Sequence, residues 1–264
     1  MPTQHDDDVL VAQTGAVLRV TFNRPETLNA LTMPMLVTAA RAIERGGTDP
    51  GVRAIVLGGV GRAFSSGADL AANGGTGEGE SPDPVIIDVA NRLTMAVRRA
   101  PKPVIAAVNG PAVGVGCSFA IAADFTVAKE SAYFLLAFAN AGLMPDGGAT
   151  ALIPAAIGRA RAARMAMLAE RIPAPLAVEW GLIAAAFPDD AFDAEVDRLA
   201  TRLAQGPTAA YAKTKQAFNA TVLARLPQAL EAEREGQSAL FETADFAEGV
   251  AAFRHKRAPE FSGA

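Results

Sequence analysis

Three glycine-bearing turns hold the residues best placed to do chemistry. They are Phe64-Ser65-Ser66-Gly67-Ala68-Asp69-Leu70, the longer Asn109-Gly110-Pro111-Ala112-Val113-Gly114-Val115-Gly116-Cys117-Ser118, and Gly142-Leu143-Met144-Pro145-Asp146-Gly147-Gly148. Glycine lets a backbone approach a ligand closely, and a turn that opens into a helix aims unpaired N–H groups at it. Two such turns facing each other could hold a developing oxyanion. The same spacing also suits ordinary tight turns, and the residues alone leave both readings open. Other chemistries fit worse. Gly110, Gly114 and Gly116 do not make G-x-G-x-x-G in order, and no G-x-x-x-x-G-K-[ST] occurs. Ser65, Ser66 and Ser118 are candidate nucleophiles, but there is no Gly-x-Ser-x-Gly elbow, and the two histidines, His5 and His255, stand at opposite ends. The single cysteine, Cys117, excludes an intramolecular disulfide and a cysteine-rich metal site, and its apolar neighbours read as core.

The elements that must carry these turns alternate between strand and helix. Val9–Val11 and Ala16–Phe22 read as a hairpin through Thr14-Gly15, and Thr32 as the cap of a helix ending at Gly46-Gly47. A strand over 52–57, a helix over 84–99 and a strand over 104–108 follow, with a breaker-rich mobile loop expected from Ala71 to Pro84. A helix from Val115, a strand over 124–128 and a helix after Gly148 complete a pattern of βα units, which predicts a largely parallel sheet. Beyond Pro188 the pattern is helical: 193–205, 208–226, 227–241 and a short helix over 246–257.

Composition sets the outer limits. The chain has 264 residues, half hydrophobic and a fifth charged, which predicts a globular, soluble protein with a sizeable core. A net charge of −4 argues against nucleic acid as a partner. The start, Met1 to Asp8, is polar and acidic, and the most apolar stretch, 104–127, is interrupted by Asn109, Pro111, Ser118 and Asp124. Neither reads as a signal or a membrane span, so the expected location is the cytoplasm.

The second turn, preceded by Lys102-Pro103-Val104-Ile105-Ala106-Ala107-Val108, resembles the signature of the crotonase superfamily, the enoyl-CoA hydratase/isomerase family. Asn23-Arg24-Pro25 with Asn29-Ala30-Leu31, Phe64–Leu70, Pro103–Asp124, Gly142–Gly148 and Phe253–Phe261 occur in the family's order, so the resemblance runs through the chain from Val9. It implies a crotonase-like (ClpP/crotonase) α/β fold: a repeated ββα core that binds acyl-CoA over 1–195, and a helical trimerisation region over 196–264. It further implies a homotrimer or hexamer, with Leu199, Leu203, Phe218, Leu226, Leu230, Leu240 and Phe241 available for an intersubunit surface.

The same resemblance implies site roles. The N–H groups of Ala68 and Val115 would form an oxyanion hole for a thioester enolate. Asn29 and Ala30 would lie along the CoA adenine, Ala68, Asp69 and Leu70 beside the pantetheine, and Arg24 and Lys256 near phosphates. No metal and no separate cofactor are implied, because coenzyme A is part of the substrate. The two glutamates of the family's hydratases fall at Ser118 and Phe138 here, which disfavours hydratase chemistry. Asp146 matches the aspartate of the isomerase-type branch, where one carboxylate moves a proton between two carbons. An N-cap of the following helix is the competing role for Asp146, and a turn anchor the expected one for Asp69. Asp124 reads as structural and Trp180 as a packing anchor. The leading expectation is an enoyl-CoA double-bond isomerase. Alternatives are a hydratase with a non-standard site, hydrolysis or substitution with Asp146 as nucleophile, and a non-catalytic acyl-CoA binder.

Overall fold

The computed structural model describes residues 8–69 and 83–264. Leu70, His5 and most of the loop expected from Ala71 to Pro84 lie outside the described residues. The chain opens with an antiparallel hairpin, β1 (Val9–Thr14) and β2 (Val17–Phe22), closed through Gly15. Next comes α1 (Met33–Thr48), whose cap is Thr32: its Oγ1 accepts the Met35 N–H. Then follow β3 (Ala54–Gly59), α2 (Val85–Arg99), β4 (Val104–Val108), β5 (Ala112–Val113) and α3 (Val115–Ala122). The core ends with β6 (Phe125–Lys129), β7 (Tyr133–Leu135), α4 (Ala149–Leu168), β8 (Ile172–Pro173), α5 (Ala174–Trp180) and β9 (Ala185–Phe187). Four helices close the chain: α6 (Phe192–Gln205), α7 (Thr208–Thr221), α8 (Leu226–Leu240) and α9 (Ala244–Arg254).

The strands divide between two sheets. The larger has the order β1-β2-β3-β4-β6-β9 and is parallel apart from the β1–β2 pair. The smaller has the order β5-β7-β8. The repeats β4-β5-α3 and β6-β7-α4 each place a first strand in the large sheet, a second in the small sheet, and a helix after both. This is the repeated ββα architecture expected from the sequence.

Strand alternation separates two cores. Ile55, Leu57, Val104, Ala106 and Val108 point into the cluster packed by α1, α2 and α3. Ala54, Val56, Ile105, Ala107 and Val127 point the other way, onto Phe192, Val196 and Ala200 of α6. β3 and β4 are therefore apolar at successive positions, as strands covered on both faces must be. The position between residues 195 and 196 falls inside α6, which packs on the sheet through Phe192, Val196 and Ala200, and Leu226 and Leu230 of α8 join the main cluster.

Two sequence expectations need correction. The helix expected over 208–226 ends at Thr221, and α8 starts afresh at Leu226 with Pro227 in its first turn. Proline lacks an N–H and clashes with the preceding turn, so it starts a helix instead of continuing one. Of the apolar residues expected to form an intersubunit surface, Leu203, Leu226, Leu230 and Phe241 are buried within the chain, and Leu199 packs partly onto α6's own core. Leu240 is half-buried, and Phe218 alone among the seven is exposed. The α6 stripe faces the sheet, α8 packs on α2 and α4, and Phe241 packs with Ile87 and Phe246, so their own chain covers these residues.

A buried ionic knot ties α7 to this scaffold. Asp124, at the start of β6, accepts from Arg98 Nη1 at 3.2 Å, Lys215 Nζ at 2.7 Å and the Val104 N–H at 2.9 Å. Lys215 also donates to the Val97 carbonyl at 2.6 Å, and Arg98 to the Ala122 carbonyl at 3.0 Å. Burial pushes the Lys215 ammonium down to about 8 despite the Asp124 charge. Asp124 thus has the structural place its position suggested. Removing it leaves two buried cations without their counter-charge, and Asp124→Ala is expected to lose about 3–5 kcal/mol of stability. Urea denaturation at neutral pH reads that loss; a change under about 1 kcal/mol would mean the pair is solvated and weak.

Candidate active site

The first two glycine turns meet. Ser65 pairs with Ala112 and Leu31 with Ala68 in isolated parallel bridges. Gly67 (φ 96°) and Gly114 (φ 55°) adopt backbone conformations unfavourable to other residues. A methyl group on Gly67 would stand 3.1 Å from the Val113 carbonyl oxygen and 3.6 Å from Gly114 Cα. The two backbones can be this close only without side chains.

The residues that follow these glycines present N–H groups with no strand or helix partner. Leu31 donates to the Gly67 carbonyl at 2.8 Å and accepts from the Asp69 N–H at 2.9 Å. In a parallel bridge those two bonds turn the N–H of the residue between them, Ala68, to the other side. Val115 is the first residue of α3, and a helix's first N–H groups have no intrahelical acceptor. Ser65 is not a nucleophile in waiting: its Oγ donates to the Asn29 carbonyl at 2.9 Å and accepts the Gly67 N–H at 3.1 Å, which braces the turn.

The third turn packs on the start of α3. A methyl group on Gly147 (φ 65°) would lie 3.0 Å from Ser118 Cβ and 3.1 Å from Val115 Cγ2. Thr94 of α2 donates to the Gly147 carbonyl at 2.8 Å. Asp146, the residue before Gly147, is buried. Its Oδ2 accepts from Gln237 Nε2 at 2.9 Å, while its Oδ1 is buried without a partner. Burial pushes this carboxyl up to about 7; the Gln237 hydrogen bond opposes the shift and the neighbouring Glu233 charge adds to it.

The competing role for Asp146, capping α4, belongs to another residue. Glu233 of α8 accepts from the Gly148 N–H at 2.7 Å, the Thr150 N–H at 2.8 Å and the Thr150 hydroxyl at 2.5 Å. Gly148, in the left-handed region (φ 89°), is the N-cap and offers no side chain, so the terminus is closed from outside. Burial raises the Glu233 carboxyl above its ordinary range, against the pull of these three donors.

The other residues singled out from the sequence fall in distinct places. Arg24, Asn29, Ala30 and Asp69 form one cluster. Arg24 Nη1 donates to Asp69 Oδ2 and to the Ala30 carbonyl, each at 2.8 Å. Asp69 is therefore an ion-pair partner and not merely an anchor of its own turn. Asn29 is fully buried with φ 56°; its side chain accepts the Arg24 N–H and donates to the Val60 and Ala63 carbonyls. Ser118 is buried with an unpartnered Oγ. Phe138, in the short helical turn Ala137–Ala141, is half-buried against the main core. Lys256 is exposed just beyond α9 and joins neither group. Leu70 lies outside the described residues. Cys117 is buried and its thiol is pushed up to about 12, as a core residue would be. Trp180 is buried, with Arg161 and Arg164 over its ring.

Glu233 and Gln237 were not among the residues singled out from the sequence. A signal was present: Leu226, Leu230, Glu233 and Gln237 share one face of α8, and all four are buried. Two polar residues on an apolar helical stripe need partners in the interior. Among the described residues, no helix is long and apolar enough to cross a membrane, and no group of three or more acidic, histidine or cysteine side chains is placed to hold a metal ion. A groove of about 560 Å³ between α1 and α2, bordered by Glu44, Arg92 and Arg99, contains none of the site residues.

Comparison with known proteins identifies the family. The sequence profile of the enoyl-CoA hydratase/isomerase family matches residues 12–264. A Rhodobacter capsulatus protein named as a probable enoyl-CoA hydratase is 44% identical over 244 residues, covering 92% of this chain and 93% of that protein. The 1,2-epoxyphenylacetyl-CoA isomerase of Escherichia coli is 38% identical over 249 residues, covering 94% and 95%. The crystal structure of an enoyl-CoA hydratase from Mycobacterium avium subsp. paratuberculosis superposes with a TM-score of 0.90 at 47% identity, covering 97% of this chain and 98% of that one. With its ββα repeats, its paired glycine turns and a match from residue 12 to the last residue, the chain belongs to the enoyl-CoA hydratase/isomerase family.

Proposed function

We propose that the chain shifts the double bond of an enoyl-CoA, with Asp146 as the single proton carrier. The observation that carries this reading is one buried carboxyl, with an unpartnered oxygen and raised to about 7, next in the chain to Gly147, which packs on Val115 and Ser118. The N–H groups of Ala68 and Val115 form the oxyanion hole for the thioester oxygen. Asp146 takes a proton from one carbon of the acyl chain as the C–H electron pair enters the enolate. It returns that proton to another carbon as the double bond re-forms. No second acid is needed, and among the described residues the acidic neighbour that bears on Asp146 is Glu233, which is committed to α4. The residues at the positions of the two hydratase glutamates, Ser118 and Phe138, support the same choice, since phenylalanine cannot transfer a proton and serine is a poor base without a partner.

The substrate's coenzyme A supplies the only cofactor chemistry. Its moiety runs along Asn29 and Ala30 and past Ala68 and Asp69, with Lys256 as a phosphate neighbour. Arg24 serves this segment as a brace, because its guanidinium is held by Asp69 and the Ala30 carbonyl. The protein works in the cytoplasm as a homotrimer or hexamer. Hydration is the second reading, favoured by the name of the Rhodobacter relative.

Proton NMR with 2-enoyl- and 3-enoyl-CoA in D₂O tests the reaction. Deuterium is expected at the α or γ carbon with the wild type, and Asp146→Asn is expected to slow exchange by at least about 10²-fold while the ester still binds, on the scale of a lost general base. Accumulation of 3-hydroxyacyl-CoA would establish hydration instead. Binding with no exchange and no product would leave a non-catalytic binder. The pH profile gives an independent check. Abstraction requires the carboxylate, and burial raises this group to about 7, so kcat/KM should fall as pH drops through that value. The expected slope is about tenfold per pH unit below it. A flat profile down to pH 5 would remove Asp146 from the base role.

A further inference from the structure

The two oxygens of Asp146 are not equivalent. Oδ2 is fixed by the Gln237 amide at 2.9 Å; Oδ1 is buried and has no partner. Gln237 lies one helical turn beyond Glu233 on the same face of α8, and Glu233 fills the amino terminus of α4. α2 contributes the Thr94 hydroxyl to the Gly147 carbonyl, and α3 contributes the unpartnered Ser118 hydroxyl near Gly147. Among the described residues, no lysine, arginine or histidine pairs with either Asp146 or Glu233.

We propose that Gln237 and Glu233 are positioning residues with opposed effects on Asp146: Gln237 pins Oδ2 and so makes Oδ1 the oxygen that carries the proton, while Glu233 occupies the α4 terminus and keeps Asp146 from being held there as a permanent anion. The proposal rests on the isomerase reading. Its first half follows from hydrogen-bond chemistry. An amide N–H can only donate, so the oxygen that accepts from it is the less basic of the two, and a proton placed there would weaken that bond. The proton leaving carbon therefore goes to Oδ1, and the same proton leaves Oδ1 for the second carbon, with no net gain or loss.

The second half follows from the position of Asp146 in the chain. It precedes the N-cap Gly148 by two residues, and its own carbonyl already accepts the Ala149 N–H at 3.3 Å. Without Glu233 its carboxylate would be the nearest anion to the open N–H groups of α4, which stabilise negative charge. A cap held in the charged form is a poor shuttle, because a shuttle must pass through both protonation states at similar free energy. Three donors favour the charged form of Glu233 in that place against the burial that raises it, and a charge there disfavours a second one beside it.

The test compares the wild type with Gln237→Met and Glu233→Gln. Each is measured twice: by the pH profile of kcat/KM for double-bond migration, and by the infrared band of the protonated Asp146 carboxyl, assigned through its loss in Asp146→Asn. Losing the Gln237 donor should move both midpoints to higher pH, and losing the Glu233 charge should move them to lower pH, each by about 1 pH unit, the scale of one charged neighbour. Midpoints that stay fixed while kcat or stability falls would make both residues merely structural and overturn the proposal. So would midpoints that move in the same direction. If Glu233→Gln does not fold, Gln237→Met carries the test alone, and an unmoved midpoint refutes the pinning of Oδ2. Infrared midpoints that part in opposite directions in a protein with no isomerase activity would sink the isomerase reading and leave the pairing standing.

Discussion

The amino terminus of α4 needs a negative partner, and the side chain that supplies it decides what Asp146 can do. A helix start exposes several N–H groups and a partial positive charge, and an adjacent aspartate normally answers both. Here Glu233 reaches in from α8 and takes the Gly148 and Thr150 donors. Asp146 is left with one amide donor, one unpartnered oxygen and a charged neighbour. The same contact seats α8 over the third turn, where Gly236 lies against Met144: a methyl group there would stand 2.3 Å from its sulfur. One tertiary interaction thus closes a helix, seats α8 over the third turn and adds to the burial that raises the Asp146 carboxyl.

The sheets contribute position. β4 delivers the chain to the second turn and β5 carries it past Ser65, so that Gly67 and Gly114 come together and the N–H groups after them are left over. β3 and β4, adjacent and parallel in the large sheet, lead into the two turns, and the Ser65–Ala112 bridge joins them. The buried Asp124 pair holds α7 under the same strands, and α6 covers their far face. The terminal helices are part of the scaffold of the site, not an appendage to it.

What the sequence made legible was mostly local. The hairpin through Gly15, the Thr32 cap and the three glycine turns follow from turn chemistry and periodicity, which act within a few residues. Asp146 could be named as base or cap, but the choice between the two depends on Glu233, which is 87 positions further along. The ion pair of Arg24 with Asp69 and the internal burial of Leu226, Leu230 and Phe241 are likewise tertiary, and composition carries no trace of them. The start of α8 was readable in Pro227, while the earlier end of α7 at Thr221 was not. The polar pair on the apolar stripe of α8 was the one clear sign of the second half of the site.

A crystal structure with an unreactive enoyl-CoA analogue would test the central claim most directly. The account predicts the thioester oxygen about 3 Å from both the Ala68 and Val115 nitrogens, the hydrogen-bond range of an oxyanion site. It also predicts the reacting carbons of the acyl chain beside Asp146 Oδ1, with Oδ2 still on Gln237 and Glu233 still on α4. A thioester bound away from those two N–H groups would contradict it, as would Asp146 turned onto the α4 terminus with its carboxyl out of reach of the acyl chain.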